Sequence, residues 1–179
     1  PLIGHALMSM GTAIALGIYN GQRQEDLLKA KRADFRDGNW DLVRSKRGNH
    51  SNITLHPKVL PWINVARALS EAHNRDELII YEGTQRPFVA NTFSKIFSRV
   101  RGRAAKIVPT VGTLQFRDLR RSTATHAREA GIDERDIADL LGNRLDTNAG
   151  LNSRYISASD EAAARTVAAI DPDAERIAS

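Results

Sequence analysis

The 179-residue sequence contains no cysteine, which excludes a disulfide framework, a thiol nucleophile and any thiolate metal site. It also lacks any apolar run near the roughly 18–20 residues that a spanning helix requires, so no membrane association is expected. Its five histidines (His5, His50, His56, His73 and His126) never stand at the i, i+3 or i, i+4 spacing that helical metal ligands use, and no metal is expected. Neither G-x-x-x-x-G-K-[ST] nor G-x-G-x-x-G occurs, so nucleotide hydrolysis has no support and no cofactor is expected. A G-x-S-x-G nucleophile elbow is missing too. The first residue is Pro1 rather than Met, with no charged-then-apolar leader, and the expectation is a piece of a longer protein.

A 41% hydrophobic share with 26% charged residues is ordinary for a soluble globular chain and argues against disorder. The length suits one sizeable domain or two small ones. Charge is unevenly spread. Residues 86–121 hold nine basic side chains and a single acid, Asp118, whereas residues 122–179 hold six basic and eleven acidic ones. Twenty of the 26 cations are arginine, the side chain whose planar fork grips phosphate oxygens in pairs. A concentrated basic segment suits a polyanion such as DNA or RNA, and equally a solvated surface in an arginine-rich chain.

The pattern predicts a mainly α chain with a small antiparallel sheet, an α+β class with one compact domain over residues 1–179. An apolar helix from His5 to Tyr19 ends at Asn20-Gly21, where the left-handed turn that stops a helix is tolerated. A second helix is expected over about Gln24 to Lys31. Trp40-Asp-Leu-Val-Arg44 and Ser51-Asn-Ile-Thr-Leu55 read as strands around a turn, and Leu78 to Tyr81 as a third. Pro57 opens a helix with Leu60, Ile63, Ala66 and Leu69 at helical spacing. Phe93, Ile96, Phe97 and Val100 form a core stripe. Further helices are expected from Asp118 to Ala130, from the cap Asp133 through Leu141 to Gly142, and from Ser159 or Asp160 onward.

Several charged residues stand just where elements begin or end, and these carry a resemblance. Gly21-Gln-Arg-Gln-Glu-Asp26, after an apolar helix, resembles the first arginine box of tyrosine recombinases, the phage integrase family. Ser45-Lys46-Arg-Gly48, followed by Ile53-Thr-Leu-His-Pro57, looks like its β-hairpin lysine segment. Phe116-Arg-Asp-Leu-Arg-Arg-Ser-Thr-Ala-Thr-His126 is similar to the second box. Leu140-Leu-Gly-Asn143 and Arg154-Tyr155 resemble the third box and the nucleophile segment. Each box alone is weak. Four in order, from about residue 6 to 157 and each on the expected kind of element, are strong together.

The resemblance implies the catalytic domain of a site-specific DNA recombinase that works without a metal. Tyr155 would attack a phosphodiester of double-stranded DNA, giving a 3′-phosphotyrosyl bond and a free 5′-hydroxyl. Arg23 and Arg120 would steady the non-bridging oxygens, and Lys46 would protonate the leaving 5′-oxygen. It also implies a homo-tetramer on paired recombination sites, a bacterial cytoplasmic, nucleoid-associated setting, and an N-terminal core-binding domain that this chain lacks. Two positions depart from the pattern. Arg117 stands where the family usually has His or Lys, and Asn143 where it has His or Trp. At working pH an arginine at this position stays protonated and cannot act as a base, and Asn143 brings neither charge nor proton transfer. The expected result is a slowed enzyme. The alternative is a catalytically impaired, prophage-derived DNA-binding remnant of the same fold. A helix-turn-helix regulator over Thr123 to Leu141 fits poorly, because its second helix carries Asp133, Glu134, Asp136 and Asp139. The final helix is open to two placements, on its own domain or on a neighbouring protomer.

Overall fold

The structure, a computed structural model, describes residues 7–44, 50–142 and 160–170. Helix α1 (Met8–Tyr19) forms the central rod, and nearly every residue along it is buried. A helix that is apolar all round needs neighbours on all sides, and α1 has them in α3 (Leu60–Ala72), α4 (Ala90–Ala105) and α5 (Phe116–Glu129). The expected stripe of Phe93, Ile96, Phe97 and Val100 faces the core from α4. There Phe93 and Phe97 meet Phe116 edge-on, with centroids 4.9 and 5.5 Å apart. That geometry suits the positive rim and negative face of aromatic rings.

Three strands make an antiparallel sheet in the order β1 (Phe35–Arg36), β2 (Asn39–Val43), β3 (His50–Thr54). Trp40 pairs with Ile53 across it and stacks on Phe35 at 5.0 Å. The outer strand β1 is not foreshadowed by the sequence pattern. The expected third strand is shortened to β4 (Ile80–Tyr81) and pairs with β5 (Arg86–Pro87) in a separate hairpin. The second helix is also shorter than expected: α2 covers only Gln24–Leu27. Beyond it the backbone turns to outside partners, with Leu78 N–H donating to Ala30 O and Arg32 N–H to Asp76 O, both at 2.8 Å. These bonds compete with a continued helix and win.

The helix ends follow their capping chemistry. Gly21, with φ +64°, closes α1. Gln115 N–H donates to the Asp118 carboxylate at 2.8 Å, which starts α5 two residues earlier than expected. Asp133 caps α6 (Glu134–Leu141) by accepting from Arg135 N–H at 2.8 Å, and Gly142 ends it with φ +59°. Helix α7 (Asp160–Ala169) packs on its own domain, against α6 and β3. Val167 and Ile170 are buried there, and Arg165 reaches Asp136 at 3.6 Å. The carbonyl of Ile170 is held by His56 Nε2 at 3.0 Å. His56 Nδ1 accepts from Lys58 N–H at 3.1 Å, so the ring proton sits on Nε2. Among the described residues no helix is long and apolar enough to cross a membrane.

Candidate active site

Three arginines from separate parts of the chain converge on the carbonyl end of α6. Arg23 is the extended residue between the Gly21 turn and α2, and its Nη2 donates to Gly142 O at 3.4 Å. Arg120 lies one turn into α5, on the side facing α1. Its Nη1 donates to Gly21 O at 2.7 Å and its Nη2 to Leu141 O. Arg44, directly after β2, donates from Nη2 to Leu140 O at 3.0 Å, from Nη1 to Leu141 O at 3.2 Å and from Nε to Ser51 Oγ at 3.1 Å. The last carbonyls of a helix lack intrahelical donors and form the negative pole of its dipole. Here that pole is met by three cations.

The turn between α1 and Arg23 is fixed from two sides. Thr123 Oγ1, fully buried on α5, has one proton to donate and lies 2.9 Å from the Ile18 carbonyl and 3.2 Å from that of Gly17. Asn20 ties the same turn to the sheet, donating to Thr54 O at 2.8 Å and accepting from His56 N–H at 3.2 Å. Gly21 itself leaves no room: a Cβ there would lie 2.5 Å from Leu141 Cδ2. Arg23 and Arg120 therefore share one scaffold, in which α1, α5 and the end of α6 touch.

The cluster is electrostatically loaded. Burial lowers the Arg120 pKa most, and repulsion from Arg23 and Arg44 lowers it further, to about 9; the nearby Asp26 carboxylate opposes the shift. Arg44 is lowered by the same causes in the same order, burial first, then Arg23, with Asp26 again opposing. Asp26 is 2% exposed. An anion placed among these guanidiniums relieves their mutual repulsion, and it does so best where negative charge is concentrated, as on a phosphoryl group in transfer.

The fold thus brings Arg23 and Arg120 together as the motif order implied. Arg117 is exposed, one turn before Arg120 on α5. Lys46, Asn143 and Tyr155 lie outside the described residues. Lys46 follows Arg44 by two positions, and Asn143 directly follows Gly142. Sequence reasoning misses Arg44, which passes for a basic neighbour of the hairpin turn. Strand parity could have found it. Trp40, Leu42 and Arg44 alternate with the exposed Asp41 and Val43, and all three are buried. An arginine in the inward register of a strand needs partners inside the fold.

The sequence profile of the phage integrase family matches residues 6–160. No curated protein sequence matches the chain. Among solved structures, the lambda integrase catalytic core aligns with a TM-score of 0.60 at 20% identity, over 80% of this chain and 90% of that one. The integrase from mycobacterium phage Brujita aligns with a TM-score of 0.61 at 17% identity, over 97% of this chain and 55% of that one. A lambda integrase tetramer bound to a Holliday junction aligns with a TM-score of 0.60 at 22% identity, over 84% of this chain and 46% of that one. The chain therefore matches a catalytic core almost end to end and spans about half of the two longer proteins.

Proposed function

The chain belongs to the phage integrase family, and on that footing we propose that it is the catalytic domain of a site-specific DNA recombinase that cuts and rejoins strands through Tyr155. The observation that carries this reading is the convergence of Arg23 and Arg120 on one point between α1, α5 and α6. Two guanidiniums held on backbone carbonyls form a preorganised receptor for one phosphodiester. In the proposed step the Tyr155 oxygen forms a bond to phosphorus as the bond to the 5′-oxygen breaks. The phenolic proton leaves for solvent or a nearby base, and Lys46 gives its proton to the departing 5′-oxygen. Religation reverses both transfers, so the energy of the broken ester is retained in the phosphotyrosyl bond.

The free phenol has a pKa of about 10, and in the proposed step cations brought beside it would favour its ionised form electrostatically. Arg117, exposed on α5, contributes field or a hydrogen bond but no base. The solved lambda integrase tetramer on a Holliday junction supports the proposal that this domain, too, acts as a tetramer on duplex DNA.

The test uses supercoiled plasmid at low salt, with relaxation and protein-linked DNA after denaturation as readouts. Activity in the parent that disappears in Tyr155→Phe and in Arg120→Ala is the expected result. A parent that binds plasmid but forms no linked DNA, while Arg117→His with Asn143→His does form it, would establish a binding remnant instead. A linked product that survives in Tyr155→Phe would refute the assigned nucleophile.

A further inference from the structure

Beyond the two motif arginines, we infer that Arg44 is a positioning residue of the same site: it anchors the carbonyl end of α6 to strand β2 and thereby fixes the acceptor against which Arg120 is set. This rests on the proposed function for its catalytic consequence, but the geometry stands independently. All three nitrogens of the Arg44 guanidinium are bonded to protein: Nε to Ser51 Oγ, Nη1 to Leu141 O and Nη2 to Leu140 O, at 3.0–3.2 Å. The residue is 4% exposed. It therefore does not reach a phosphate in solvent, and it acts through the carbonyls it holds.

Leu141 O is the shared point. Arg44 Nη1 and Arg120 Nη2 both donate to it, one from the sheet side and one from α5. A carbonyl oxygen has two lone pairs, so the pair of bonds saturates it and pins it between two fixed elements. Arg120 is held at its other end by Gly21 O. The plane of its guanidinium is thus set by two carbonyls, one of which owes its place to Arg44. Gly142 completes the fit, since a Cβ there would overlap the Arg44 guanidinium. Only a fork bridges Leu140 O, Leu141 O and Ser51 Oγ at once. Lysine keeps the charge but not the bridge.

The consequence is sharp because phosphoryl transfer depends on placement. A displacement of about 1 Å from a substitution away from the reacting atoms costs about 10²-fold in rate. We expect Arg44→Lys and Arg44→Met each to slow formation of the protein-linked DNA by ~10–100-fold at saturating DNA, with plasmid affinity within about twofold of the parent. Ser51→Ala, which removes only the Nε partner, gives a smaller loss of the same kind. Arg121→Ala, an exposed neighbour on α5 paired with Asp118, serves as the charge control and stays at the parental rate.

Every protein is also assayed for the rise in Tm caused by inorganic phosphate, a probe that needs no catalysis. The rise is expected in the parent, and expected to shrink in both Arg44 variants at temperatures where they are fully folded. Arg44→Lys that keeps the parental rate, or keeps the parental phosphate response, overturns the inference. So does a rate loss matched by an equal loss of plasmid affinity, or a rate loss that tracks only the unfolded fraction. A parent that links no DNA but responds to phosphate, with the response lost in Arg44→Lys, refutes the proposed chemistry and upholds the anchor. A parent without any phosphate response overturns the anchor's connection to an anion site.

Discussion

Replacing Gly21 with alanine tests whether the site's scaffold is as tight as its geometry states. Two terms act there. The φ of +64° is left-handed, which for a residue with a Cβ costs about 1–2 kcal/mol. The added methyl would sit 2.5 Å from Leu141 Cδ2 and 3.2 Å from Thr123 Cγ2, well inside the ~3.5–4.0 Å optimum for carbon pairs. Leu141 is 4% exposed, so its side chain has little room to yield, and overpacking of this kind costs ~1–3 kcal/mol. The expected loss is about 2–5 kcal/mol, or a Tm lower by ~4–20 °C for a domain of this size. Gly131→Ala supplies the control, because Gly131 has φ +77° but nothing within 4 Å of an added methyl; it should lose only the backbone term, about 1–2 kcal/mol. Urea unfolding followed by far-ultraviolet circular dichroism measures both, and unchanged m-values show that stability alone has moved. Equal losses at the two glycines would refute the contact argument. The site adds a second readout. Gly21 O and Leu141 O are the acceptors that set Arg120, so Gly21→Ala, and not Gly131→Ala, should blunt the phosphate-induced rise in Tm.

Other outcomes follow from the same structure. Asp133→Ala removes the carboxylate that accepts from Arg135 N–H and should lower stability by ~1 kcal/mol; Asp133→Asn, which can still cap, should restore most of it in the same urea titration. With the Arg120 pKa at about 9, the folded state gives up this proton before the unfolded chain does. Below pH 9 the burden of the buried cation is fully present, and as pH rises above 9 its relief favours folding. Phosphate binding runs the other way, so the phosphate-induced rise in Tm should fade as pH passes through about 9, and a response undiminished well above that pH would contradict the shift. Arg99 and Arg103 are exposed on α4. Their joint change to alanine should weaken binding to mixed-sequence duplexes uniformly and flatten the plot of log affinity against log salt by ~1–2, and an unchanged slope would remove α4 from the DNA-facing surface.

Much of this architecture is legible from local chemistry. Phe93, Ile96, Phe97 and Val100 repeat with the period of a helix and are all buried, and Asp133 and Gly142 mark the two ends of α6 by cap preference alone. The ordered arginine boxes locate Arg23 and Arg120, because each stands beside a glycine turn or helix start that the sequence displays. What escapes depends on contacts distant in sequence. Helix α2 stops at Leu27 because Ala30 and Arg32 bond to the segment near Asp76 and Leu78, and no neighbouring residue announces those partners. Arg44 looks like one more charge on a basic turn until the carbonyls of Leu140 and Leu141 are brought beside it. Only the alternation of Trp40, Leu42 and Arg44 hints that it points inward. Lys46, Asn143 and Tyr155 rest on motif order, outside the described residues.

The meeting of α6's carbonyl pole with Arg23, Arg44 and Arg120 has a bearing on how the protein is handled at the bench. Like charges crowded at one spot repel, and anions that settle against the half-exposed Arg23 and Arg120 soften that repulsion, though less than they would between fully exposed charges. Adding salt should therefore firm up the DNA-free domain. The same salt weakens a complex in which Arg23 and Arg120 face a phosphate. Stability and DNA binding are set against each other by a single variable, so a buffer chosen because the purified domain melts latest in it will be one in which DNA binds worst. Sodium phosphate, which both screens the cluster and competes for it, would mask binding most of all.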